Sequence, residues 1–266
     1  MSVNEGLASS LVKLARDHAP ELVRTLKVRR VYADLDGTLL GPGGSLFAHP
    51  DGVTGEPAEA LVALAQAGID LVLVSGRTRD QVREVARAVG AAGYVAEVGG
   101  QVVNREGWGE AVTRLRGAFG AAPGTPYEAI QRTGAAGLLL TAFPGRLEPH
   151  TPWSDVPREC SVLLRGNVNA QEADDVLDRS GYGWLEVLDN GIISAPPGRY
   201  PGLETDEVHV YHLVPKGVSK AGAIAVDRER VGLGPDGCIA VGDSATDLAA
   251  AGEVGAVFLV ANGEPA

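Results

Sequence analysis

The chain reads as an α/β protein in which a doubly wound parallel sheet carries an inserted α+β unit. Three observations predict this. Short apolar runs alternate with helical patterns in residues 30–107 and again in 208–266, the grammar of strand–helix–strand units. Over 108–207, between them, Pro and Gly clusters break that alternation. Four short motifs rich in Asp, Ser and Lys each follow an apolar run, where open α/β sheets place their ligands.

The elements follow in order. Leu7, Leu11, Leu14 and Ala15 fall at helical spacing, Pro20 interrupts, and Leu22, Val23 and Leu26 resume it. Residues 1–29 are therefore expected to form a helical arm, either packed on the core or used for self-association. Val31-Tyr32-Ala33 opens the first core strand, followed by a mobile flap at Gly41-Pro42-Gly43-Gly44 and a helix over 57–67. Residues 69–74 read as a strand, Thr78 and Gln81 have capping-box spacing for the next helix, and another strand lies at 94–96. In the insert, Thr125-Pro126 with Glu128 and Asn169 with Glu172 mark helix starts, and Asp189-Asn190-Gly191 marks a hairpin between 184–188 and 192–193. Residues 208–212 read as a strand with an ordinary polar face, 218–228 as a helix, 238–241 as a strand, 246–251 as a helix and 257–260 as the last strand.

With 266 residues, 45% of them hydrophobic, the chain can build one large core or two modest ones. Its 23 basic and 34 acidic side chains leave a net charge of -11, which argues against a nucleic-acid or anionic-membrane surface. No stretch approaches a membrane span, the first residues lack the pattern of a secretory signal, and Cys160 and Cys238 are too few for a disulfide framework. A cytoplasmic protein, monomer or homodimer, is expected.

The chemistry concentrates in Asp34-Leu35-Asp36-Gly37-Thr38. Residues i and i+2 of an extended segment point to one side, so Asp34 and Asp36 are expected to face one reacting group. Gly37 permits a sharp turn and close approach of a ligand. Two like charges held together call for a cation or a shared proton. Ser75-Gly76-Arg77, Lys220 and Gly242-Asp243-Ser244-Ala245-Thr246-Asp247 add a hydroxyl, an ammonium and a second acidic pair. Singly, each has a plain structural reading: Ser75 or Asp243 as a helix cap, Lys220 as a solvated helix residue. Together they suit phosphoryl transfer with a divalent ion.

On these four motifs the chain resembles the phosphatase branch of the haloacid dehalogenase-like superfamily, over nearly its whole length apart from the arm. The resemblance implies roles. Asp34 would attack phosphorus and form an aspartyl-phosphate, and Asp36 would act as general acid and base. Ser75, Gly76 and Lys220 would bind the phosphoryl oxygens, joined by Thr38 and Arg77 as substrate contacts. A magnesium ion would be held by Asp34, Asp36 (through its backbone carbonyl), Asp243 and Asp247. Only 41 positions separate Asp34 from Ser75, whereas 145 separate Ser75 from Lys220, so the extra domain falls after the second motif. This is similar to the superfamily's C2-capped group, which includes Cof-type sugar phosphatases and mannosyl-3-phosphoglycerate phosphatase. Glu97-Val98-Gly99-Gly100 departs from the Asn-Gly pair frequent in Cof-type members. The implied substrate is a small phosphorylated metabolite, a sugar phosphate or a phosphorylated organic acid. The alternatives are a phosphomutase and a non-catalytic ligand- or partner-binding protein.

Other features have two readings. Lys216 is the alternative to Lys220. Arg77 either meets a substrate anion or pairs with Asp80 or Glu84. His18, His49, His150, His209 and His212 show no metal-binding spacing, and His49 in the flap is a possible substrate contact. Arg146, Arg158, Arg165 and Arg199 are the insert's candidate specificity groups.

Overall fold

The structure, a computed structural model, describes residues 26–107, 109–193 and 196–260. The expected helices of residues 1–25 lie outside them. A seven-stranded sheet forms the core, in the order β13-β12-β1-β4-β5-β6-β7. Its five parallel strands are β1 (Arg30–Asp34), β4 (Asp70–Val74), β5 (Gly93–Ala96), β12 (Cys238–Gly242) and β13 (Ala256–Leu259). Two antiparallel strands, β6 (Gln101–Glu106) and β7 (Gly109–Arg114), complete one edge, while β2 (Ala48–His49) and β3 (Gly52–Val53) form a separate antiparallel pair after β1.

Alternate residues of the parallel strands feed opposite faces. Tyr32, Val72 and Val74 pack with Ala223 and Ile224 of a helix spanning Lys220–Arg230, while Ala33, Leu71 and Leu73 pack with Val82 and Ala86 of a helix spanning Arg79–Val89. Helices on both faces explain why the central residues of these strands are apolar on both sides. The chain winds outward from β1 in both directions, so the order reverses between β1 and β12, the crevice where such sheets bind ligands.

The insert forms a second sheet, β10-β11-β9-β8: β8 (Leu147–Pro149), β9 (Val162–Gly166), β10 (Leu185–Ile192) and β11 (His209–Pro215). Helices spanning Pro126–Thr133, Ala135–Ala142 and Ala170–Arg179 cover one face through Ile130, Leu139, Ala173 and Leu177, against Leu164, Leu185, Val187, Tyr211 and Leu213. By the two-residue period of a strand, Ser161, Leu188, Asn190 and His212 belong to the other face, which meets the core.

Four expectations need correction. The core sheet runs to Arg114, beyond the boundary expected at 107, because β7 pairs with β6. The cap extends to Pro215, beyond 207, because β11 is flanked by β9 and β10 rather than by core strands. Asp189-Asn190-Gly191 is not a hairpin turn. It is a bulge inside β10, where the register to β11 shifts between Asp189 and Ile192, and Gly191 takes a φ of 95°. Residues 246–251 split into a short α-helix, Ala245–Leu248, and a 3-10 turn, with Ser244 rather than Asp243 as the cap. Among the described residues no helix is long and apolar enough to cross a membrane.

Candidate active site

Asp34 ends β1, and the register puts it beside Val74, so Ser75 starts where Asp34 stops. Gly242 ends β12 on the other side, and Lys220 opens its helix behind the Ser219 cap, whose hydroxyl accepts from the Gly222 amide. Three strand ends and one helix start thus converge. Lys220 Nζ donates to Asp34 Oδ1 at 2.8 Å and to Asp247 Oδ1 at 2.9 Å. All three side chains are buried. Asp247 Oδ2 accepts from the Asp243 and Ser244 amides and the Ser244 hydroxyl, the capping box that orients this carboxylate. Lys216 lies elsewhere, paired with Asp178 at the surface.

Carboxylate oxygens of Asp34, Asp243 and Asp247 lie within 4.8 Å of one another. Three acids around one ammonium leave negative charge in excess. Burial first, and then Asp247 and Asp243 against the opposing pull of Lys220, raise the Asp34 carboxyl to about 8. Burial alone would lower the Lys220 ammonium, but Asp34 and Asp247 hold it above its ordinary value. An all-oxygen donor set with surplus charge suits a hard divalent cation. Gly37 fits the same reading: at a φ of 86°, a Cβ built there would lie 1.9 Å from Asp243 Oδ2, so only glycine lets that carboxylate close on the loop. Thr38 Oγ1 is buried with no hydrogen-bond partner.

Asp36 is placed differently from the expectation. The strand ends at Asp34 and the chain turns at once, with the Leu39 and Leu40 amides both donating to the Leu35 carbonyl, so the same-side rule for i and i+2 no longer holds. The Asp36 side chain is 55% exposed and paired with Arg77, whose Nε donates to Oδ2 at 2.8 Å and whose Nη2 donates to Oδ1. Arg77 therefore pairs with Asp36 rather than with Asp80 or Glu84. Ser75 is buried, and its hydroxyl accepts from the Arg77 amide. His49 is exposed beside Asp51.

The cap–core contact involves residues whose roles sequence reasoning passed over. Glu97, with Val98, adopts a φ of 51° and is buried at the end of β5. Its carboxylate accepts from the amides of Glu159, Cys160 and Ser161, from the Ser161 hydroxyl and from Gln101. This clasps the cap to the core beside the apolar contact of Val98, Cys160, Val214 and Val218. The signal was the Gly99-Gly100 pair directly behind a strand. His212 is buried, not on an ordinary polar face. Of the four cap arginines, Arg146 pairs with Glu172 at the surface, Arg165 binds Glu148 and stacks on Tyr200, and Arg158 alone among those with described side-chain contacts reaches the Gly76 carbonyl.

Comparison with known proteins agrees with this arrangement. A family model for haloacid dehalogenase-like hydrolases matches residues 31–114. A phosphoglycolate phosphatase of Methanopyrus kandleri is 27% identical over 224 residues, covering 82% of this chain and 77% of that protein. Among solved structures, a haloacid dehalogenase-like hydrolase from Bacteroides thetaiotaomicron has a TM-score of 0.59 at 18% identity, covering 90% of each chain. The sucrose-phosphatase of Synechocystis, solved with sucrose and phosphate, has a TM-score of 0.58 at 18% identity, covering 90% of this chain and 85% of that one.

Proposed function

We propose that the chain is a member of the haloacid dehalogenase-like superfamily, in its C2-capped phosphatase group, and that it is a magnesium-dependent phosphomonoesterase acting on a small phosphorylated metabolite through an aspartyl-phosphate. The observation that carries the proposal is Lys220 bridging Asp34 and Asp247 at the point where the strand order reverses.

Asp34 is the nucleophile. Its Oδ1 is fixed by Lys220, which leaves Oδ2 to approach phosphorus. Lys220 also offsets charge on the phosphoryl oxygens, and Ser75, Thr38 and the Gly76 amide supply hydrogen bonds to them. Asp36 protonates the leaving oxygen and later takes a proton from the hydrolytic water. To do so it must exchange Arg77 for the site, and the exposed pair they form holds it weakly enough to permit this. Asp34, Asp243 and Asp247, with the Asp36 carbonyl, would hold the magnesium ion, which when bound neutralises their surplus charge and that of the phosphate.

A small substrate is supported by the cap, whose His212 and Asn190 reach down to Gly76. Sequence likeness to a phosphoglycolate phosphatase favours a phosphorylated acid over a sugar, since the sucrose-phosphatase shares the fold at much lower identity. The cytoplasm is the proposed compartment, supported by two cysteines that are both free and buried. A panel of phosphorylated metabolites incubated with the purified protein tests the reading through release of inorganic phosphate. Release is expected with magnesium and not with a chelator. Isomerised sugar phosphate without free phosphate would overturn hydrolysis in favour of a mutase.

A further inference from the structure

The core-facing side of the cap sheet brings a group of polar side chains onto the Ser75-Gly76 loop. Arg158 Nη1 donates to the Gly76 carbonyl at 3.1 Å and to Ser161 Oγ at 3.0 Å. Ser161 Oγ stands 3.1 Å from His212 Nδ1. A Cβ built on Gly76 would lie 2.7 Å from His212 Nε2 and 3.0 Å from Asn190 Nδ2, so cap and core meet here because residue 76 has no side chain.

The Arg158 side chain is only 3% exposed, and a buried guanidinium needs an anion. Glu97 Oε2 stands 4.0 Å from Nη1, and both Glu97 oxygens are already taken by the amides of residues 159–161, the Ser161 hydroxyl and Gln101. Arg158 Nε is buried with no acceptor, and Asn190 Oδ1 and His150 Nδ1 are also buried without partners. Burial, and then Arg158, Lys220 and His150, hold the His212 imidazole well below its ordinary value, and burial, Arg165 and Arg158 bring His150 down to about 4, so both rings are neutral. Among the described residues the carboxylate that faces Arg158 is Glu97, whose oxygens are held by other donors.

We propose that the substrate supplies the charge: its leaving group carries a carboxylate, received by Arg158 and flanked by the hydrogen-bonding side chains of Asn190 and His212. The substrate class is then a short phosphorylated hydroxy-carboxylic acid. Arg158 is its specificity determinant, because a neutral leaving group leaves the buried guanidinium uncompensated. This inference rests on the phosphatase reading above.

The test compares two esters of equal length, phosphoglycolate and hydroxyethyl phosphate, which carries an alcohol in place of the carboxylate. The wild-type protein is expected to prefer phosphoglycolate in kcat/KM, and Arg158→Gln to lower the ratio of the two kcat/KM values by about 100-fold. Arg158→Lys is expected to recover part of the ratio. Equal losses on both esters would make Arg158 a structural strap and overturn the proposal. In case Arg158→Gln fails to fold, inhibition of the wild-type protein by phosphonoacetate against methylphosphonate reads the same preference, and equal inhibition would also overturn it. Hydrolysis of both esters at equal kcat/KM would remove only the carboxylate, whereas hydrolysis of neither would remove the phosphatase reading with it.

Discussion

β1 and the helix spanning Lys220–Arg230 are joined by a buried ion pair at each end, and the two pairs are built on opposite principles. At one end Arg30 Nε meets Asp227 Oδ2 at 2.8 Å, its other nitrogens reach Asp70 and Asn104, and the Tyr32 hydroxyl donates to Asp227 at 2.8 Å. Each charged group there meets an opposite charge, the condition under which buried charge is tolerated, although the Asn104 amide nitrogen has no partner. At the other end one ammonium serves Asp34 and Asp247 with Asp243 close by, so acids outnumber bases. The first cluster is complete within the chain. The second is completed from outside it, and that incompleteness is the mark of a site rather than a strut.

The largest expected effect breaks the comparison at the incomplete end. Asp34→Asn removes the nucleophile but keeps its shape, and Lys220 retains Asp247. Turnover of any hydrolysed ester should fall by at least about 10³-fold, with the melting temperature within a few degrees of wild type. Near-wild-type turnover would exclude Asp34 as nucleophile. At the complete end, Asp227→Ala removes the buried partner of a guanidinium that is 3% exposed and leaves it the exposed Asp70 as its counter-charge. Denaturant unfolding should register a loss of about 3–5 kcal/mol, while kcat per folded molecule stays close to wild type. A loss of kcat without loss of stability would mean that the two ends are not independent.

What the sequence made legible follows the same division. Asp34, Ser75, Lys220, Asp243 and Asp247 were all marked, because each lies just past an apolar run and strand ends are easily read from such runs. The geometry gathers Asp34, Lys220, Asp243 and Asp247 within reach of one another and sets Ser75 beside Asp34 through the β1–β4 register. Legibility failed where long-range pairing decides. Nothing local says that residues 208–215 pair with β9 in the cap rather than return to the core, or that Asn190-Gly191 is absorbed as a bulge because β11 lies alongside. The pairing of the Asp36 side chain with Arg77 was not foreseen because the strand stops two residues early, which a one-dimensional alternation pattern cannot register. The clasp made by Glu97 was out of reach, and Arg158 was named but not separable from the other cap arginines, because both roles exist only across the cap–core contact.

A smaller effect sharpens the contrast by adding the missing charge. In the metal-free protein Asp34 releases its proton near 8, raised by burial and by the other two acids, whereas the unfolded chain releases it near the ordinary carboxylate value. Between those two values the folded state holds more protons than the unfolded state, so this group's contribution to stability falls as pH rises. A cation binds the deprotonated set and opposes that loss, and it competes with fewer protons at higher pH. Magnesium at about 100 times its dissociation constant should add about 2.7 kcal/mol by mass action, and less below pH 7, where protons occupy the same oxygens. Melting temperatures with and without magnesium at pH 6 and pH 8.5 check this: the metal-induced rise should be larger at pH 8.5. A rise that is equal at both values, or one that survives Asp243→Ala unchanged, would mean that the cation sits elsewhere.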